Sequence, residues 1–119
     1  MQLRELLRKP FVNTPYASEV NLAGKHVIVT GVGPGSLGYA TARTLARWGA
    51  LVIVTTRRNT AAAIDALTAD LAEDGVAAKI DGRELDLCEA SSVNQFVQWY
   101  LDTHGDRLDV LVNLSLIHI

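Results

Sequence analysis

The run Thr30-Gly31-Val32-Gly33-Pro34-Gly35-Ser36-Leu37-Gly38 joins two unlike segments, and the order of elements along the chain follows from it. Before it stands His26-Val27-Ile28-Val29-Thr30, a β-branched run with no apolar/polar alternation. Such a run suits a strand covered on both faces. After it comes Tyr39 to Trp48, where Ala42, Leu45 and Ala46 fall at helical spacing and Gly49 is placed to end the helix. Gly33, Gly35 and Gly38 satisfy G-x-G-x-x-G. Glycine permits positive φ and lets backbone approach a phosphate with no Cβ in the way. The helix beyond aims free N–H groups and the positive end of its dipole at the same space. The motif alone is weak evidence. Its place between a buried strand and a helix, opening a βαβ unit, is the context it requires. The alternative is a glycine-rich turn without a ligand. No G-x-x-x-x-G-K-[ST] occurs, which argues against a P-loop nucleotidase.

Outward from the loop, Leu51-Val52-Ile53-Val54-Thr55 reads as a second buried strand. Residues 60–74 read as a helix with Ile64, Leu67 and Leu71 on one face, stopped by Gly75. A weaker third strand lies between Ala77 and Leu87, open to interruption at Asp81-Gly82. Ala90 to His104 is the clearest helix: Val93, Phe96, Val97, Tyr100 and Leu101 fall at i, i+3, i+4, i+7 and i+8. Gly105 ends it, and Asp109-Val110-Leu111-Val112-Asn113 opens a fourth strand. Alternating strands and helices predict an α/β fold, a doubly wound parallel sheet that stops after the fourth strand.

At 119 residues the chain suits one domain. A 49% hydrophobic content supports a core and excludes a wholly disordered chain. Eleven basic against thirteen acidic residues give a net charge of −2, with no basic run to suggest nucleic acid. The single cysteine, Cys88, excludes an internal disulfide and fits a reducing, cytoplasmic setting. Cys88 reads as a small buried apolar residue. No apolar stretch approaches the ~20 residues of a membrane helix. Met1 to Pro10 lacks the apolar run of a secretory signal and reads as a short amphipathic helix, on the domain surface or touching a membrane surface. Residues 1–21 are therefore an extension, and 22–113 the nucleotide-binding domain. Residues 114–119, Leu-Ser-Leu-Ile-His-Ile, match the translation of CTG TCT CTT ATA CAC ATC, a transposon-adapter read. They are expected to be an adapter tail, the alternative being a natural extension of the fourth strand.

Across residues 22–113 the sequence resembles the short-chain dehydrogenase/reductase family. Asn21-Leu22-Ala23-Gly24-Lys25 is a common lead-in there. Thr30-Gly31 and Leu37-Gly38 match the ends of the T-G-x-x-x-G-I-G loop, here with one extra residue and Ser36 in place of the penultimate glycine. The variant is similar to the loop of type I fatty acid synthase ketoreductase domains, as is Val54-Thr55-Thr56 followed by arginine. The downstream part is more similar to retinol-dehydrogenase-like members. Leu85-Asp86-Leu87 matches the pair that holds the adenine ring, and Leu108-Asp109-Val110-Leu111-Val112-Asn113 the start of L-D-x-L-V-N-N-A-G. The resemblance implies a Rossmann-like fold, an NAD(P)-dependent oxidoreductase, a small-molecule carbonyl/alcohol substrate and a homo-oligomeric parent.

In such sheets the dinucleotide binds at the C-terminal strand ends. An acid after the second strand would favour NAD. This chain has Thr55-Thr56-Arg57-Arg58-Asn59, and two guanidinium groups suit the 2′-phosphate of NADP. The alternative is two solvated arginines. The expected cofactor-binding residues are Gly31, Gly33, Gly35, Ser36, Leu37, Gly38, Arg57, Arg58, Asp86, Leu87 and Asn113. No catalytic residue is expected within the chain. The family's Tyr-x-x-x-Lys pair is absent, since Tyr16, Tyr39 and Tyr100 lead to Val20, Arg43 and His104. That pair and the family's serine are expected beyond residue 113, so this chain alone is expected to be inactive. Tyr100 reads as a core or boundary side chain. His26 and His104 have no partner cluster in the sequence, so no metal is assigned. The rival from another class is a non-catalytic nucleotide sensor or scaffold on the same fold.

Overall fold

A computed structural model describes residues 21–114. The expectations for Met1–Pro10 and for residues 115–119 lie outside the described residues. Four strands and three helices alternate: β1 (His26–Val29), α1 (Leu37–Arg47), β2 (Leu51–Thr56), α2 (Thr60–Glu73), β3 (Lys79–Glu84), α3 (Ala90–His104) and β4 (Val110–Val112). The strands form one sheet in the order β3-β2-β1-β4. All three pairings are parallel. The chain thus builds outward from β1 to β3, then crosses to the other side of β1 for β4.

Side chains alternate across a strand, so each central strand feeds two layers. Val27, Val29, Val52 and Val54 face α1 and α2, where they meet Ala42, Ala46, Leu67 and Leu71. Ile28 and Ile53 face the other way, against Leu85, Phe96 and Tyr100. Burial on both faces explains why β1 and β2 are continuous apolar runs.

Several boundaries differ from the sequence expectation. Helix α1 begins at Leu37 rather than Tyr39, because the Ser36 hydroxyl accepts the Tyr39 N–H at 3.1 Å and caps the helix. Strand β4 is shorter than 109–113. Asp109 instead ties its start to β1: its Oδ2 accepts the His26 N–H at 2.8 Å, and its own N–H reaches His26 O at 2.9 Å. That backbone bond holds the Asp109 carboxyl below the usual carboxylate range. Strand β3 runs unbroken through Asp81-Gly82. Gly82 lies opposite Val54, and a Cβ there would stand 2.4 Å from the Val54 carbonyl oxygen. The glycine lets two strands close up rather than interrupting one.

Helix α3 also departs from its periodicity. Phe96 and Tyr100 are buried, but Val97 and Leu101 are 47% and 44% exposed. Leu111 of β4 is 58% exposed as well. Helix α3 covers this face of the sheet through Phe96 and Tyr100, and leaves Val97, Leu101 and Leu111 exposed.

Candidate functional site

The strands point their C-terminal ends at one cleft of about 300 Å³, at the lower end of the range for small-molecule sites. Each strand contributes a segment: residues 30–33 after β1, 55–57 at β2, 85–88 after β3 and Leu114 after β4. This is the crevice where strand order reverses, the usual ligand position in an open α/β sheet.

The loop after β1 is pinned from below. Val32 is fully buried, and its N–H donates to Thr55 O at 3.0 Å. Gly31 has φ 70°, and a Cβ there would meet Leu114 O at 2.6 Å. A Cβ on Gly38 would stand 2.5 Å from Gly31 O, so this glycine brings α1 against β1. Gly33 differs from both in having open space where its Cβ would be, and it has no positive φ. Gly33 also lines the cleft, so no side chain at this position stands between backbone and a ligand.

Ser36 is committed inside the loop. Its hydroxyl donates to Gly33 O at 2.6 Å while accepting from Tyr39, and its N–H also reaches Gly33 O. The Ala40 N–H bonds to Ser36 O. The Leu37 and Gly38 N–H groups are the two at this helix end left without an acceptor among the described residues. They suit an anion at the positive end of α1. The Leu37 side chain is 70% exposed beside them.

The two arginines part company. Arg57 reaches the cleft, and its Nη2 lies 3.8 Å from Asp86 Oδ2. Arg58 stands outside the lining, where its carbonyl accepts the Thr56 hydroxyl at 2.8 Å. Asp86 is anchored: Oδ1 accepts the Cys88 N–H at 3.0 Å, and the Asp86 N–H donates to Ser92 Oγ at 2.9 Å. Leu87 lines the same wall. Cys88 is exposed there, against the expectation of a buried residue, because it sits in the turn after β3 rather than on a strand. Gly35 and Asn113 are outside the lining; Asn113 Oδ1 instead faces the Thr30 hydroxyl at 3.2 Å, and Leu114 takes the cleft position. Val32 escaped the sequence reading, and Leu114 was assigned there to the adapter tail. The signal for Val32 was a lone apolar residue between two glycines.

A second polar group sits at the opposite sheet end. His26 and His104 were expected to be without partners, yet their rings lie 6.4 Å apart. His104 Nε2 is 2.8 Å from Asp81 Oδ2. The Tyr100 hydroxyl donates to the Arg107 carbonyl. Burial, then the Asp109 charge, raises the Tyr100 pKa. Sequence separation hid this group because α3 returns its C-terminus to the start of β1. Among the described residues no three His, Cys, Asp or Glu are placed to hold a metal, and no helix is long and apolar enough to cross a membrane.

Comparison with known proteins agrees with this geometry. A Streptomyces virginiae protein assigned to the monensin polyketide synthase as a ketoacyl reductase is 43% identical over 86 residues, which is 72% of this chain and 31% of that protein. Retinol dehydrogenase 12 of Bos taurus is 31% identical over 107 residues, 90% of this chain and 33% of the enzyme. An actinorhodin polyketide ketoreductase solved with NADPH superposes with a TM-score of 0.61 at 28% identity, over 76% of this chain and 33% of that one. The chain thus spans about a third of the length of these relatives. The family pattern described as short chain dehydrogenase matches residues 25–115. With that match over most of its length, and a parallel sheet whose glycine loop and strand ends line one crevice, the chain belongs to the short-chain dehydrogenase family.

Proposed function

We propose that these residues form the cofactor-binding part of an NADP-preferring reductase, which exchanges hydride with a small-molecule carbonyl/alcohol pair of ketoacyl or retinol type. The observation that carries the reading is Arg57 in the cleft, at the strand end where an acid would select NAD. The cleft fits the group. Gly33 leaves the backbone bare toward it, and the N–H groups of Leu37 and Gly38 are available to a phosphate. Arg57 offers charge-assisted bonds to a 2′-phosphate, while Asp86 and Leu87 form the wall for the adenine. When bound, the nicotinamide supplies or accepts the hydride. The chain's own residues bind and orient; the tyrosine and lysine that would move the proton fall outside this sequence. The protein works in the cytoplasm as a homo-oligomer on this reading.

The test is the dissociation constant for NADPH and NADH in the complete protein and in Arg57→Ala. Tighter binding of NADPH is expected in the parent, with about tenfold or more of that preference lost in the variant. Equal affinity for both cofactors in the parent would refute the preference.

A further inference from the structure

Arg57 lines the cleft as a cation suited to a phosphate. The structure gives it a resident counter-ion. Asp86 Oδ2 lies 3.8 Å from Arg57 Nη2, across the mouth of the cleft that both residues line. The two partners are unequally held. The Asp86 carboxylate is fixed through Oδ1 by the Cys88 N–H and its backbone by Ser92 Oγ, and its side chain is 32% exposed. The Arg57 side chain is 62% exposed and has Asp86 as its one ion-pair partner among the described residues. A hydrogen-bonded anion therefore faces a more exposed cation.

We infer that Asp86 sets the strength of phosphate discrimination: it is a built-in competitor for Arg57 that weakens the hold on a 2′-phosphorylated adenosine nucleotide. This rests on the reading of Arg57 as the phosphate ligand. Two effects have the same sign. The incoming phosphate must draw the guanidinium away from Asp86, and it enters the field of a like charge that the Cys88 N–H holds in the turn. An exposed pair of this kind is worth little, and the two effects together amount to about two- to fivefold in affinity. A nucleotide without the 2′-phosphate meets neither effect. Asp86 thus lowers the ratio of the two affinities, whatever it contributes to the adenine common to both.

The experiment measures binding of adenosine 2′,5′-bisphosphate and adenosine 5′-monophosphate to the complete protein by calorimetry. The variants are Asp86→Asn, Asp86→Glu, Arg57→Ala and the double variant Asp86→Asn/Arg57→Ala. Asparagine keeps an acceptor for the Cys88 N–H, so the turn is preserved. The preference for the bisphosphate should rise about two- to fivefold in Asp86→Asn, stay near the parent's in Asp86→Glu, and be indifferent to Asp86 once Arg57 is gone. A preference that is unchanged or lower in Asp86→Asn, while Arg57→Ala still abolishes it, overturns the inference and leaves the reading of Arg57 standing. Equal affinity for both probes in the parent and in Arg57→Ala overturns that reading and the inference with it.

Discussion

Replacing Gly33 by alanine separates ligand binding from folding, because the position is sterically free in the protein alone. Gly33 has no positive φ and nothing within 4 Å of where its Cβ would stand. Alanine also restricts the unfolded chain, which at a compatible site stabilises by about 0.4–1 kcal/mol. The fold should therefore be unharmed or slightly firmer. The added methyl instead occupies the cleft side of the loop and holds a phosphate off the backbone. Losing one charge-assisted hydrogen bond costs about 1.5–3 kcal/mol, or roughly ten- to a hundredfold in affinity.

Gly38→Ala supplies the opposite case. Its Cβ would stand 2.5 Å from Gly31 O and 3.1 Å from Thr30 O, both backbone atoms that cannot swing away. Alanine would gain about 0.5–1 kcal/mol in helix propensity. Overpacking between α1 and β1 costs about 1–3 kcal/mol, so the net effect is destabilising. Urea unfolding of the complete protein, read with NADPH titration by nucleotide fluorescence, checks both variants. The reasoning is wrong if Gly33→Ala binds the nucleotide within threefold of the parent while keeping its stability. It is equally wrong if Gly33→Ala unfolds more easily than Gly38→Ala.

Arg58→Ala should leave the NADPH/NADH preference within about twofold, since Arg58 stands outside the cleft; parallel titrations of both cofactors check this. The 119-residue chain alone should not oxidise NADPH with any member of a carbonyl panel above a protein-free blank, because it holds no Tyr-x-x-x-Lys. Burial, and then the Asp70 hydrogen bond and charge, push the Tyr39 hydroxyl up to about 12. Its contribution is fully present below the ordinary tyrosine value of about 10 and is lost as pH rises toward 12, so Tyr39→Phe should flatten the fall in stability across that window in urea titrations. His104→Ala removes the bond to Asp81 and a ring packed against Trp99 and Tyr100, and should cost about 1–2 kcal/mol by the same unfolding measurement.

The central layer of the fold was legible because its residues obey local rules. Val27 to Val29 and Val52 to Val54 are β-branched runs that only a doubly covered strand explains, and the glycines at 49, 75 and 105 stop three helices at positive φ. Rules of this kind fail where a distant segment supplies the reason. Gly82 resembles a strand breaker until Val54 lies opposite it. Val97 and Leu101 satisfy the helical period, yet periodicity cannot tell which part of an apolar stripe has a neighbour. His104 finds Asp81 and His26 only through the return of α3 across the sheet.

The site divides along the same line. Its backbone features were written locally, since a glycine spacing between strand and helix states where N–H groups will point. Its side-chain features were not. Arg57 and Arg58 are chemically identical neighbours in the sequence, and in the bend after β2 one lines the cleft while the other does not. Ser36 looked like a ligand donor because it stands in the motif, but a hydroxyl has one proton, and the carbonyl of Gly33 at 2.6 Å takes it. Asp86 was assigned to the adenine only through the resemblance of Leu85-Asp86-Leu87 to the family pattern. Its role opposite Arg57 depends on β2 and β3 ending side by side, with Thr56 paired to Glu84. Charge pairing across adjacent strand ends is therefore where the proposed discrimination would enter this cleft. It is the part that spacing along one chain does not reveal.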